Sequence, residues 1–312
     1  MENNYVNEEV MKGKARRLIL WCLPRTGSTA LAKCLSFIDE DTEMWFEPFN
    51  ICRMINIMVK KDMGQGLPKE FKGNEMMYEA VAAGLKDKLK IPSATINPSL
   101  LSYAGVQKSI EESERRTVIV KEMAVASFDS YNYFPKGYRH ILLIRDPTRV
   151  ISSFRKMVIE PRGEEFADAD LEKVHPTYPT YHWFGEMHAL WKHMTKDGGN
   201  PLIIDTEDFL ANPAPFLKKI CEVMEVEYRD GLLKWDASKD VINKTWKNGC
   251  MEMFTSDRAV QSQVFKKAFE SSGFVETNPK PLPQNLTKDC IRIIGQCVDF
   301  YNEMYPHRFI PE

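Results

Sequence analysis

The chain has 312 residues and 43% of them are hydrophobic, which is enough for a large buried core. Its formal net charge is −2 at pH 7, so the composition excludes the broad basic surface of a nucleic-acid-binding protein. The seven cysteines are scattered without the spacing of metal ligands. This usage is typical of a reducing compartment, and we expect a cytoplasmic protein.

Residues 1–16 form a polar N-terminal segment that lacks the long apolar run of a secretory signal. The apolar runs elsewhere have the length of strands, so the sequence predicts no membrane span. Gly- and Pro-rich stretches are too short to separate domains, and we expect residues 17–312 to form one domain.

The first predicted element is a strand over residues 18–23, a continuous apolar run of the kind that a parallel sheet buries on both faces. Pro24 ends this strand, and a turn and a helix follow. Gly27 lets the backbone approach a ligand closely, and the start of a helix attracts anions. The residues that we expect to hold an anion at this turn are Arg25, Thr26, Gly27, Ser28 and Thr29.

This turn differs from the nucleotide-binding loop G-x-x-x-x-G-K-[ST] in two respects. It lacks the first Gly, and it lacks the Lys that follows the second Gly. The cation here is Arg25, two residues before Gly27, so the positive charge lies on the turn itself. The pattern therefore disfavours an ordinary ATPase, and a tight turn without a ligand is the alternative at this point.

A second predicted strand leads into Glu47, and a third, over residues 117–121, ends at Lys121. The apolar neighbours of Glu47 suit a general base. A surface carboxylate before a proline turn is the alternative for Glu47, and a solvated strand end is the alternative for Lys121. Glu122 is a rival base, although alternation along the strand turns it away from the face of Lys121.

The fourth predicted strand, over residues 139–144, is followed by Arg145 and by a helix that begins near Pro147. Ser153 falls about two helical turns further on. The planar guanidinium of Arg145 matches the oxygen atoms of a phosphate, so this strand end is a second candidate anion site. The alternative is that Arg145 and Arg149 are ordinary surface charges at a helix start, paired with Asp146.

A fifth strand is predicted over residues 201–204, so strands alternate with helical patterns along the chain. This alternation predicts an α/β fold with a doubly wound parallel sheet flanked by helices, in a single domain. Ligands of such folds bind beyond the carboxyl ends of the strands, where both candidate anion sites lie.

The motif Leu-Pro-Arg-Thr-Gly-Ser-Thr at residues 23–29, together with Arg145 and Ser153, resembles the motifs of sulfotransferases that use 3′-phosphoadenosine 5′-phosphosulfate (PAPS). The resemblance implies a P-loop-like sulfotransferase fold. It implies that the first motif binds the 5′-phosphosulfate and that Arg145 and Ser153 bind the 3′-phosphate. It also implies adenosine 3′,5′-bisphosphate (PAP) as the product nucleotide and a small-molecule or peptide acceptor.

The candidate catalytic residues are similar to those of the tyrosylprotein sulfotransferases, which have an Arg in the loop and a Glu about twenty residues later. Arg25 and Glu47 reproduce that arrangement, and Lys121 matches a strand-end Lys of the family. Cytosolic small-molecule sulfotransferases have a His two residues after that Lys, where this chain has Met123. The resemblance therefore implies Glu47 as the base, with Arg25 and Lys121 as further catalytic residues.

Two stretches depart from the family pattern or match it loosely. Thr206 stands where many members carry a Tyr that contacts the adenine. Lys266 and Lys267, within residues 244–274, loosely resemble a loop that closes over the cofactor.

We expect an enzyme that transfers a sulfuryl group from PAPS to a hydroxyl or amine, in line and without a metal. A P-loop small-molecule kinase and an inactive nucleotide-binding module are the alternatives.

Overall fold

The computed structural model describes residues 15–88, 95–174, 180–196, 198–238, 240–249, 263–274, 277–278 and 281–312. The strands in these ranges are β1 (Arg16–Cys22), β2 (Thr42–Phe46), β3 (Thr117–Met123), β4 (Arg139–Ile144), β5 (Leu202–Asp205) and β6 (Trp246–Lys247). The α-helices in these ranges are α1 (Ser28–Leu35), α2 (Pro48–Met63), α3 (Glu75–Lys88), α4 (Tyr103–Glu111), α5 (Pro147–Ile159), α6 (Leu171–Val174), α7 (Thr180–Thr195), α8 (Thr206–Ala211), α9 (Pro213–Val223), α10 (Asp240–Thr245), α11 (Gln263–Phe269) and α12 (Lys288–Met304).

The six strands form one sheet in the order β5-β4-β1-β3-β2-β6, and every neighbouring pair is parallel. Cys22, the last residue of β1, pairs with Met123 of β3 and Leu143 of β4. Phe46, the last residue of β2, pairs with Lys121. Because all strands run the same way, their carboxyl ends lie at one edge of the sheet, which is where ligands bind in folds of this class.

The core of the molecule lies on this sheet. Residues 18–22 of β1 are fully buried, as the continuous apolar run predicts for a strand covered on both faces. The helices that flank the sheet, and the short turns between them, close the main core around it. A smaller apolar cluster lies between α2 and α3, where Tyr78 is fully buried beside Ile55. The predicted α/β architecture with a parallel sheet is confirmed.

The predicted strand bounds are right to within about two residues. β1 begins earlier than predicted, at Arg16, because its pairing with β3 extends to Arg16 and Arg17. Both charged side chains also have partners at the amino end of the sheet. Arg16 Nη1 lies 2.7 Å from Asp39 Oδ2, and Arg17 donates to the carbonyl oxygen of Arg116 at 2.9 Å. β6 has two residues and was not predicted, since two residues carry no periodicity.

The sequence also predicts a domain boundary near residue 17 and no membrane span. The boundary of the domain at residue 17 stays a prediction, because residues 1–14 lie outside the described ranges. Within the described ranges, none of the helices combines the length and the apolar composition that crossing a membrane requires.

Candidate functional site

The carboxyl edge of the sheet brings together residues that are far apart in the sequence. Arg25 follows β1, Glu47 follows β2, Lys121 lies near the end of β3, Arg145 follows β4, and Thr206 follows β5. The strand order places β1 between β3 and β4. The loop after β1 is therefore flanked by the ends of those two strands.

The Arg25 loop, residues 24–29, turns the chain from β1 into α1. Gly27 has a left-handed backbone with φ of 72°, and α1 begins at Ser28. Its first intrahelical contacts are the amides of Ala30 and Leu31, which donate to the carbonyl oxygen of Gly27. Apart from the local backbone and the adjoining residues, no described atom lies within 4 Å of the place where a Cβ would stand on Gly27. The loop therefore offers an open helix start, which favours an anion.

Thr26 and Ser28 face inward. Thr26 is 1% exposed and its hydroxyl donates to the carbonyl oxygen of Leu23 at 2.7 Å, so this side chain holds the turn together. Ser28 is buried beside Cys22. Thr29 is half-buried in the first turn of α1. The parts of the loop that remain available to a ligand are its amides and the side chain of Arg25.

Arg25 has φ of 63°, a left-handed conformation that is uncommon for a residue with a Cβ. Its Nε donates to Ser153 Oγ at 3.0 Å, and its Nη1 lies 3.7 Å from Met157 Sδ. Burial and the neighbouring charge of Arg145 both lower the pKa of Arg25. Among the ion pairs of the described residues, none joins Arg25 to a carboxylate. A half-buried cation beside a second cation favours an anionic ligand.

Arg145 is held by the Arg25 loop on one side and by Glu207 on the other. Its Nη1 donates to the carbonyl oxygen of Arg25 at 2.5 Å, and its Nε donates to Glu207 Oε1 at 2.7 Å. Arg149 Nε lies 3.3 Å from the other oxygen atom of Glu207. The pairing of Arg145 and Arg149 with Asp146 is wrong, because both arginines pair with Glu207 in the structure. Asp146 instead caps α5 by accepting from the amide of Thr148.

The geometry of Arg145 leaves room for a ligand. A guanidinium has more N–H donors than the contacts of Arg145 use, so Arg145 keeps donors for a further anion while Glu207 fixes its plane. Glu207 is not among the site residues that the sequence predicts. Its only signal was an acidic pair, Glu207 and Asp208, directly after a predicted strand, which is also the composition of an ordinary helix start.

Thr206 has a structural role in this chain. It is 1% exposed, and its hydroxyl donates to the carbonyl oxygen of Ile144 at 2.9 Å and lies 3.1 Å from the carbonyl oxygen of Thr26. The side chain thus ties the Arg25 loop to the end of β4. Where many family members carry a Tyr, this chain has a hydroxyl that is already used inside the protein.

We expect Thr206→Val to lower the free energy of unfolding by about 1 kcal/mol, because it removes one buried hydrogen bond at nearly constant volume. Equilibrium unfolding in urea measures the difference. Thr206→Ser keeps the hydroxyl and is the control, and it is expected to be at least as stable as Thr206→Val. A Val variant as stable as the wild type would contradict the role of this hydroxyl.

Glu47 and Lys121 form an ion pair at the ends of β2 and β3. Asn50 Nδ2 donates to the second oxygen atom of Glu47 at 3.0 Å, so both carboxylate oxygens have partners. Lys121 is 2% exposed and its Nζ lies 4.6 Å from the centre of the Phe46 ring. The alternative of a solvated strand end is therefore wrong for Lys121.

The neighbours of Lys121 favour its charged form. Burial disfavours the charged ammonium, but neighbouring groups, Cys22 and Glu47, raise the pKa of Lys121 above its usual value. Burial raises the pKa of Cys22 to about 11, so its thiol is neutral at pH 7. Glu47 is then the neighbour that supplies negative charge, and the two side chains form a charged pair at the edge of the cleft.

Glu122, the rival base, is fully buried. Its Oε2 accepts from the amide of Phe49 at 2.7 Å, and its Oε1 accepts from the amide of Met123 at 2.7 Å. Burial, reinforced by the charge of Glu47, raises the pKa of Glu122 to about 8. Both oxygen atoms are occupied by backbone amides, so the carboxylate lacks the exposure that a base needs to meet an acceptor.

Lys33 links the predicted closing loop to α1. This lysine is fully buried, and its Nζ donates to the carbonyl oxygens of Phe269 at 2.6 Å and Ser271 at 2.9 Å. Lys266 and Lys267 lie exposed on α11, one turn before that contact. Residues 250–262 of the same stretch lie outside the described ranges, so their part in the loop stays a prediction.

A family model described as "Sulfotransferase domain" matches residues 106–307. Branched-chain-amino-acid aminotransferase-like proteins 2 and 1 of Arabidopsis thaliana are 23% and 22% identical to this chain over 169 residues, or 54% of the chain. The match covers 24% of each of these proteins, so the chain spans about a quarter of the length of these curated relatives.

The solved structures that are similar to this chain include three whose alignments cover 91% or more of it. A sulfotransferase domain from the curacin biosynthetic pathway has a TM-score of 0.43 and 15% identity, with 91% of this chain and 98% of that chain covered. A mouse sulfotransferase complexed with PAP has a TM-score of 0.42 and 15% identity, with 98% and 89% covered. A retinol dehydratase in a complex with retinol and PAP has a TM-score of 0.41 and 10% identity, with 99% and 88% covered.

The matched range runs from α4 to the turn after α12 and covers well over half of the 312 residues. It contains Lys121, Arg145 and Ser153, while the Arg25 loop and Glu47 lie before it. The range thus includes the strand end and the helix that bring Arg145 and Ser153 to the Arg25 loop. The chain belongs to the sulfotransferase domain family.

Proposed function

We propose that this chain transfers a sulfuryl group from PAPS to a hydroxyl or amine acceptor. The observation that carries the proposal is the contact of Arg25 with both parts of the second motif. Arg25 donates to Ser153 at 3.0 Å, and Arg145 donates to the carbonyl oxygen of Arg25 at 2.5 Å. Two anion-binding motifs separated by more than a hundred residues thus form one cationic cluster, which suits a ligand that carries two phosphoryl groups.

The residues present fit such a nucleotide. The open start of α1 and the side chain of Arg25 would hold the 5′-phosphosulfate, and the remaining donors of Arg145 with the hydroxyl of Ser153 would hold the 3′-phosphate. When bound, PAPS supplies an activated sulfuryl group. With Thr206 used inside the protein, other residues must contact the adenine.

The catalytic roles in this proposal follow from the charges at the cleft. Glu47 takes the proton from the acceptor, and Asn50 orients its carboxylate. Lys121, fixed beside Glu47 by the ion pair, places positive charge near the reacting groups. Arg25 stabilises the negative charge that develops on the leaving phosphate.

We expect PAP to bind far more tightly than AMP, because Arg145 and Ser153 have a 3′-phosphate to hold only in PAP. Loss of one charge-assisted contact costs about 1.5 to 3 kcal/mol, so Arg145→Ala should erase most of this preference. Isothermal titration calorimetry with both nucleotides measures it. A parallel assay of PAP release from PAPS with a panel of phenols and amines tests the transfer itself.

Arg139, on the strand that leads to Arg145, provides a matched control for Arg145→Ala. It begins β4 at the opposite edge of the sheet, is exposed, and forms an ion pair with Glu225 at 3.0 Å. Arg139→Ala should leave both affinities unchanged. Equal affinity of the wild type for PAP and AMP would refute the proposal, as would an Arg145→Ala variant that keeps the full preference.

A further inference from the structure

The first turn of α2 has an unusual cap. Its N-cap residue, Glu47, accepts no hydrogen bond on its side chain from a backbone amide of the helix, and Pro48 at the first helical position has no amide hydrogen. The next two amides, those of Phe49 and Asn50, instead donate to the carboxylate of Glu122 at 2.7 and 3.3 Å. The amide of Ile51 returns to the carbonyl oxygen of Glu47 at 3.0 Å. A side chain from β3 therefore does the work of the cap.

Two residues of β3, Lys121 and Glu122, hold the backbone on either side of Glu47. The amide of Glu47 donates to the carbonyl oxygen of Lys121 at 2.7 Å, and Glu122 holds the amides that follow. Between these anchors Glu47 has φ of 54° and ψ of 41°, whereas N-cap residues usually have an extended backbone. Such a left-handed conformation is strained for a residue with a Cβ, so its surroundings must impose it.

The left-handed backbone of Glu47 goes together with the position of its side chain. Because the carboxylate does not cap α2, it contacts both Lys121 and the side chain of Asn50 at the cleft. A Glu47 that capped α2 itself would turn its carboxylate toward the helix amides.

We infer that Glu122 is a positioning residue whose buried carboxylate caps α2 from β3 and thereby points Glu47 at the acceptor. The inference rests on the proposed function, in which Glu47 is the base. It assigns no proton transfer to Glu122, since both of its oxygen atoms accept from backbone amides. Gln cannot replace it, because its amide group would present N–H donors to a backbone N–H.

We expect Glu122→Gln to lower kcat by about tenfold to a hundredfold while the KM for PAPS and the Kd for PAP stay within about twofold of wild type. Val120→Ala, a fully buried site on the same strand, is the control for a loss of stability alone. It should keep kcat at temperatures where both variants are folded. Glu122→Asp keeps two acceptor oxygens and should recover part of kcat. Equal kcat losses in Glu122→Gln and Val120→Ala would overturn the inference.

Two readouts do not depend on activity. A crystal structure of Glu122→Gln should show Glu47 outside the left-handed region and its contact with Lys121 broken, and an unchanged Glu47 would overturn the inference. In the wild type, the amides of Phe49 and Asn50 should exchange with deuterium as slowly as those of β3. Rapid exchange of both amides would overturn it even if the Gln variant does not fold. Wild-type protein that binds neither PAP nor PAPS would refute the proposed function, and these readouts would still test the cap.

Discussion

Glu47→Gln is expected to lower turnover by about a hundredfold or more while the affinity for PAP stays nearly unchanged. Gln keeps the shape of the side chain and its contact with Asn50, but it cannot take a proton from the acceptor. Single-turnover kinetics with saturating PAPS separate this loss from any change in product release. The variant leaves Lys121 without its carboxylate, so its folded state must be verified before rates are compared.

Glu43→Gln is a matched control for Glu47→Gln. Glu43 lies on β2, the strand that leads into Glu47, and is 5% exposed. It forms an ion pair with Lys247 at 2.5 Å and accepts a hydrogen bond from Trp45 Nε1 at 2.7 Å. Its substitution also breaks a buried charged contact, but away from the candidate base, and turnover should be preserved. Near-normal turnover in Glu47→Gln would show that the acceptor needs no proton transfer to this carboxylate.

The sequence predicts that Arg25 and Arg145 lie at one edge of the sheet, because parallel strands end at the same edge, and the structure has both residues there. Arg25 and Arg145 both follow apolar runs. Such a run indicates a buried strand even when the strands that pair with it are unknown. Topology then brings the two ends together. The identity of the catalytic residues stays a prediction, since the geometry supports their roles without testing them.

Several roles could not be predicted, because they depend on contacts between distant segments. Glu122 and Thr206 read as a strand-end acid and a helix-start hydroxyl, and only the packing of α2 and the Arg25 loop gives them their partners. Lys33 is an ordinary helical lysine by spacing, yet it is fully buried against a segment more than two hundred residues later. Local pattern fixes a residue's element, whereas its hydrogen-bond partner comes from the tertiary fold.

Arg25→Ala is expected to lower turnover by about a hundredfold and to weaken PAP binding by less than about tenfold. Charge on the leaving phosphate grows during transfer, so a cation placed there stabilises the transition state more than the bound nucleotide. Ala keeps the Cβ, and the strain of the left-handed backbone is therefore the same in variant and wild type. Turnover at saturating PAPS and the Kd of PAP by calorimetry give the two numbers to compare.

Arg25→Lys distinguishes charge from geometry at this position. Lys restores a positive charge but not the planar group that donates to Ser153 at 3.0 Å, so it should recover part of the turnover and not all of it. Full recovery would mean that the contact with Ser153 adds nothing to catalysis. If Arg25→Ala lost affinity and turnover in equal proportion, Arg25 would hold the nucleotide equally in the ground state and the transition state. Another cation would then have to stabilise the negative charge on the leaving phosphate. The candidate is Lys121, which is buried beside Glu47.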